Sequence, residues 1–249
     1  MASAVKVTSS TPARIDFSEP LIVLVGPEKK SFIVHKDVIC RRSPFLKAAI
    51  AERWNSTGDC KKIELPADNP SAFASYLQCV YQGVVVHEAG VMEEDATCEL
   101  IALYALADKF GDLRGANLAI DALIQHSDTL NRIPGLAEVD LAYGHTTANS
   151  PLRKLLVDYY LHEGNEAALQ SDIDQYPCAF LADFIMEYAR LKYSKLPEKV
   201  EKVVFNAKIE SKPKCEYHQH SDTHPVCDGE AAGGQAEDHG GDEAASKEE

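Results

Sequence analysis

The run Leu21-Ile22-Val23-Leu24-Val25 constrains this chain more than any other feature. It is a short, continuous apolar stretch bounded by Glu19-Pro20 and Gly26-Pro27. Such a run is too short for a helix, and its bounds are turn formers, so it reads as a buried strand. Lys29–Val34 follows directly on the Gly-Pro turn and is expected to return as its hairpin partner. A third short strand is expected in residues 60–66, around Ile63 and Leu65.

Elsewhere the hydrophobic period is helical. Ser43 can cap a helix that starts at Pro44, and Asn69-Pro70 repeats the device. Phe73, Tyr76, Leu77, Val80 and Tyr81 then recur at helical spacing until Gly83. Leu100, Leu103, Tyr104, Ala107 and Phe110 share a face that ends at Gly111, and a further helix follows. Beyond the break at 131–135, helices are expected over 136–143, 151–162 and 177–192. Ser150 and Pro151 open the second of these, with Leu152, Leu155, Leu156 and Tyr159 inward. Phe180, Leu181, Phe184, Ile185 and Tyr188 form the inward face of the third. Strands first and helices after is an α+β order rather than an alternating parallel one.

Composition excludes several classes. The chain has 249 residues, 45% hydrophobic and 26% charged, as globular proteins do. No apolar run approaches the ~20 residues that span a bilayer, and the first residues lack the apolar centre of a secretory signal. A cytoplasmic or nuclear location is therefore expected. The seven cysteines are scattered and odd in number, which favours reduced thiols, with Cys79 and Cys178 buried as small hydrophobes. Residues 216–249 hold ten acids against Lys247 alone and so carry most of the net charge of −14. That balance repels a phosphate backbone and argues against direct nucleic-acid binding.

Three segments carry a resemblance: FIVHKDVICRRSPFLKAAI, IELPADNPSAFASYLQCVYQG and LYALADKFGDLRGANLAIDAL. Together they resemble the BTB/POZ domain over residues 17–130. The positions that carry it include His35-Lys36, Ser43-Pro44-Phe45, Leu65-Pro66, Asp68, Tyr81, Gly83 and Ala107-Asp108-Lys109-Phe110. The later segments AYGHTTANSPLRKLLVDYYLHEG and YPCAFLADFIMEYARLK look like the helical extension of many fungal proteins of this family. The resemblance implies a small sheet capped by helices, an α-helical extension over 131–207, and no catalytic centre. It also implies a protein-binding scaffold, often a homodimer, with residues 1–16 as a lead-in and 208–249 as a Cys/His segment and acidic tail.

The same resemblance points to particular residues. Family members pair an acid ahead of the first strand with a base beside the histidine, and here Glu19 and Lys36 take those roles at the expected dimer seam. Members that recruit cullin-3 ubiquitin ligases show an apolar residue, any residue, then Glu after the third helix. This chain has Trp54-Asn55-Ser56 there, which departs from that pattern. Trp54, the only tryptophan, is a packing anchor or an interface anchor. A substrate-adaptor role with cullin-3, or co-regulation of transcription through a DNA-binding partner, stands as the alternative to a self-associating scaffold.

Catalytic motifs are missing: the sequence has no Gly-x-Ser-x-Gly elbow, P-loop, dinucleotide fingerprint or His-Glu-x-x-His helix. His162-Glu163 reads as a helix end before Gly164. Cys40 and His35 are five residues apart and need not face each other. His35 itself reads as a hydrogen-bonded fold residue. One segment remains chemically pointed. In KCEYHQHSDTHPVC, Cys215, His218, His220 and Cys227 supply four zinc-compatible ligands for a closed structural site, and His224 could replace either histidine. The rival reading is a solvated polar segment. The residues after it, 228–249, hold no aromatic and no aliphatic larger than alanine. They cannot offset the entropy of ordering a chain, so deleting them should leave the melting temperature unchanged; a fall of several degrees would show that they dock.

Overall fold

The computed structural model describes residues 14–57, 62–86, 93–164, 169–170, 172–193 and 214–221, the side chains of 53–57, 93–95 and 214 excepted. In chain order the elements are β1 (Pro20–Val25), β2 (Lys30–His35), α1 (Lys36–Arg42), α2 (Pro44–Thr57), β3 (Lys62–Leu65), α3 (Pro70–Gln82), α4 (Glu93–Phe110) and α5 (Leu113–Leu130). Then come α6 (Leu136–His145), α7 (Pro151–His162) and α8 (Cys178–Tyr193), with short 3-10 turns at Ile173–Gln175 and Lys214–Tyr217. The α+β expectation holds: a small sheet precedes a mostly helical remainder.

The sheet runs β2-β1-β3. β1 and β2 form the expected antiparallel hairpin, from Pro20 opposite His35 to Val25 opposite Lys30. β3 lies parallel to β1, a pairing that needs a crossover, which α1 and α2 supply. Gly26 makes the corner possible. Its φ is +79°, and a Cβ there would stand 3.0 Å from Pro70, so only glycine fits without strain. Its amide donates to the Leu65 carbonyl at 2.9 Å and so stitches the hairpin to β3.

One reading of β1 is corrected. It was expected to be buried throughout, but only Leu21, Val23 and Val25 are, while Ile22 is 38% exposed. The helices reach one face of the sheet, so the strand alternates despite its uniform composition.

The inner face meets an aromatic cluster. Phe32 of β2 lies 5.0 Å from Phe73 of α3, and Tyr76 lies 5.1 Å from Phe110 at the end of α4. Gly111, with φ +68°, turns the chain there, and Asp112 caps α5 by accepting from Gly115 N–H at 3.0 Å. Ser43 receives Leu46 N–H as a cap should, and donates to the Phe110 carbonyl at 2.8 Å. α1, α2 and the α4–α5 turn are thereby tied at one point.

Asp112 does more than cap. It is 2% exposed, and it accepts from Arg42 Nε at 2.9 and 3.1 Å and from Tyr76 hydroxyl at 3.2 Å. A buried carboxylate is tolerated only when its lone pairs are filled, and here α1, α3 and α5 fill them.

The extension has its own aromatic centre. Phe180 of α8 stands 5.0 Å from Tyr160 of α7 and 5.6 Å from Tyr143 of α6. Three expectations fail here. Ser150 makes no side-chain cap on α7, because its hydroxyl pairs with Tyr104 at 3.0 Å instead. Cys178 is exposed, since Phe180 rather than the helix start turns inward. Ile185 and Tyr188 are exposed too: Phe180, Leu181 and Phe184 pack on the core, and the later turns of α8 do not.

Removing the hub should be costly. Asp112→Ala is expected to lower stability by about 3–5 kcal/mol, because it strands the Arg42 guanidinium. Urea unfolding would measure it; a loss below about 1 kcal/mol, the range of a surface pair, would show the pair is not structural.

Candidate interaction surface and the Cys/His segment

The register of the hairpin sets Ile22 directly opposite Ile33, and both face away from the helices. Ile33 is 75% exposed. Nearby, Phe17 is 57% exposed and meets the His35 ring edge-on at 5.2 Å. A cross-strand pair of large aliphatics on an outward face costs hydration free energy unless something covers it. The sequence reading missed this pair, because a uniformly apolar strand does not say which face is inward. The signal available was the register of a tight hairpin, which places the two isoleucines opposite each other.

Around this face the expected site residues take definite positions. Glu19 and Lys36 form an ion pair at 2.8 Å, and Lys36 N–H also donates to the Glu19 carbonyl at 3.0 Å. The pair closes the end of the hairpin where β2 runs into α1. His35 is a hydrogen-bonded fold residue: its backbone N–H donates to Tyr81 hydroxyl at 2.9 Å, and its Nδ1 lies 3.0 Å from the same oxygen. Burial pushes the Cys40 thiol up from its ordinary range, which disfavours the thiolate a nucleophile needs. Trp54 lies in α2, but its side chain, with those of Asn55 and Ser56, is outside the described residues.

The Cys/His segment is not a solvated tail where it is described. Residues 214–221 lie across α5 and α7. Tyr217 is 1% exposed, and its hydroxyl donates to Asp158 at 2.9 Å. Burial, with the Asp158 charge beside it, pushes that phenol well above its ordinary range. Gln219 is read by Asn117 on both backbone groups, accepting at 3.0 Å and donating at 2.9 Å. The Gln219 amide also donates to Asp108 at 3.1 Å. Lys154 pairs with Glu216 at 2.9 Å. Of the metal-site residues, Cys215 Sγ stands 3.1 Å from His220 Nε2, while His218 Nε2 turns to Asp121 at 3.0 Å. Cys227 and His224 lie outside the described residues. Among the described residues no three metal-ligating side chains converge.

A cavity of about 500 Å³ opens between α7 and α8, lined in part by Arg153, Lys154, Asp183, Met186 and Arg190. Its cations are engaged by the fold: Arg153 donates to the Tyr143 and Thr146 carbonyls, Lys154 pairs with Glu216, and Arg190 pairs with Glu187.

Tyr217 is the anchor of the docked segment. Tyr217→Ala should cost about 3–5 kcal/mol, in the range of other buried aromatics, and Tyr217→Phe about 1–3 kcal/mol for the stranded Asp158. Thermal and urea unfolding would check both. An alanine variant as stable as the parent would mean that the segment contributes nothing to the fold.

The described architecture can be set beside known proteins. No curated protein matches the chain. The BTB/POZ domain profile matches residues 19–127, the span from the start of β1 to the last turn of α5, and within it lie the sheet, the aromatic cluster and the Asp112 hub. Residues 19–127 of this chain form a BTB/POZ domain, a protein-interaction module.

Proposed function

We propose that the chain is a self-associating scaffold: its BTB/POZ domain pairs with a second copy through the outer face of β1 and β2, and the helical extension presents further surface to partner proteins. The observation that carries this reading is the exposed Ile22–Ile33 pair with Phe17 beside it. An apolar face of this kind on a folded domain marks a contact surface. A symmetric pairing suits it, because a two-fold interface uses the same patch on both subunits. The Glu19–Lys36 ion pair at the hairpin end borders that patch and supplies a polar rim. Such an interface would bury about 1,600 Å² in total. No helix among the described residues is long and apolar enough to cross a membrane, and the apolar face is read as a protein contact.

Light scattering coupled to size exclusion tests the proposal. The parent chain should run at twice its chain mass at tens of micromolar. Ile33→Asp combined with Phe17→Ser should run as a folded monomer, its helical circular dichroism intact. A monomeric parent, or a double variant that stays dimeric, would sink the reading.

A further inference from the structure

Residues 216–219 lie on the helices in the manner of a bound peptide. We propose that the surface of α4, α5 and α7 beneath them is a peptide-docking site, filled in cis by this chain's own Glu216-Tyr217-His218-Gln219. A partner protein binds there by presenting the same chemistry: an acid, a tyrosine, a histidine and a glutamine in that order. The proposal rests on the reading that the extension serves partner proteins, and it is tested apart from the pairing through β1 and β2.

The contacts divide as those of a recognised peptide do. Asn117 meets the Gln219 backbone twice, its amide donating to the carbonyl at 3.0 Å and its oxygen accepting from the N–H at 2.9 Å. A side-chain amide so placed stands in for a neighbouring strand and holds the backbone whatever side chain it carries. In the recognition of extended peptides, backbone bonds give affinity and side-chain pockets give specificity. The pocket here takes Tyr217, which is 1% exposed, and Asp158 accepts its hydroxyl at 2.9 Å. A site built to bond a buried hydroxyl rejects the analogue that lacks it, so the pocket selects tyrosine over phenylalanine.

Charge sets the direction and register. On one side of the tyrosine Lys154 pairs with Glu216 at 2.9 Å. On the other side Asp121 faces His218 Nε2 at 3.0 Å, and Asp108 accepts from the Gln219 amide at 3.1 Å. One cation followed by three carboxylates, Asp158 included, matches an acid followed by three side chains that can donate hydrogen bonds. A reversed or shifted segment would set its acid against a carboxylate, and like charges so placed exclude wrong partners.

The seated segment has the character of a ligand more than of a fold element. Of residues 215–221 only Tyr217 is buried, while Glu216, His220 and Ser221 are exposed. Residues 194–213 separate it in the chain from the end of α8. The bonds that seat Glu216, Tyr217, His218 and Gln219 end on helix side chains. One buried side chain with polar contacts around it opens locally at a cost below that of global unfolding. A partner's segment then competes with an intramolecular one.

The test uses the full chain and a short fluorescein-labelled peptide, with Glu-Tyr-His-Gln between glycine and serine flanks, read by fluorescence anisotropy. Tyr217→Ala removes the anchor of the resident segment, so this variant should bind the probe at least about tenfold more tightly than the parent, whose own segment competes. Adding Asn117→Ala to that variant, or phenylalanine for tyrosine in the probe, should weaken binding about tenfold or more. Where Tyr217→Ala does not fold, the parent cut at a protease site inserted within residues 194–213 reads the same exchange: the probe should displace the freed C-terminal fragment in size exclusion. A folded Tyr217→Ala that binds the probe no better than the parent would overturn the proposal. Binding that survives both Asn117→Ala and the phenylalanine probe would overturn it too, by placing the peptide elsewhere. So would a cut chain that keeps its fragment against excess probe, which would make the segment a fixed part of the fold, or one that exchanges it only with the fragment of a second copy.

Discussion

The fold of the BTB/POZ domain hangs on a carboxylate that water does not reach. Asp112 sits at the turn between α4 and α5, and its two oxygens take Arg42, Tyr76 and the Gly115 amide. Each partner comes from a different helix, so the burial cost of the charge is met only when α1, α3 and α5 are all in place. Such an arrangement specifies one packing more than it adds stability, because an apolar replacement of the same shape could be as stable. The aromatic cluster of Phe73, Tyr76 and Phe110 lies beside it and supplies the apolar burial that the ion pair does not.

A second buried carboxylate does comparable work at the other end. Asp158 of α7 is 2% exposed and takes the hydroxyl of Tyr217, which returns from more than fifty residues further along the chain. Through Tyr217, Gln219 and His218, the segment bridges α7 of the extension to α4 and α5 of the BTB/POZ domain. Tyr104 reinforces the same seam. Its phenol, pushed up to about 12 chiefly by burial, meets Ser150 at the start of α7. The two parts of the chain are thus joined by hydrogen bonds to buried groups, which are directional and fix their mutual placement.

Much of the fold was legible in the residues. The hairpin, the helix starts at Pro44, Pro70 and Pro151, and the stops at Gly83 and Gly111 follow from local geometry that one or two residues decide. The resemblance in His35-Lys36 and Ser43-Pro44-Phe45 pointed to the domain that the profile match then found. The candidate surface was less legible. Glu19 and Lys36 were identified as a pair, but the Ile22–Ile33 contact was hidden inside a strand that looked buried on both faces. Ile185 and Tyr188 sit at helical spacing with Leu181 and Phe184, which pack half-buried on the core beside the buried Phe180, so periodicity could not tell how far along α8 the core extends.

By itself the sequence determined the three strands and the longer helices, though not the short α1 (Lys36–Arg42), because capping, glycine conformation and hydrophobic period act over a few residues. It also shows that residues 228–249 carry no aromatic and no aliphatic side chain larger than alanine. Tertiary structure alone decided which face of β1 meets the helices and where Tyr217 and His218 go. Those outcomes depend on partners about sixty and about one hundred residues away, Asp158 and Asp121, and a hydrogen bond across that distance leaves no periodic trace in the chain. A polar segment looks the same in sequence whether it is solvated or seated; the difference lies in whether buried acceptors wait for it elsewhere in the fold.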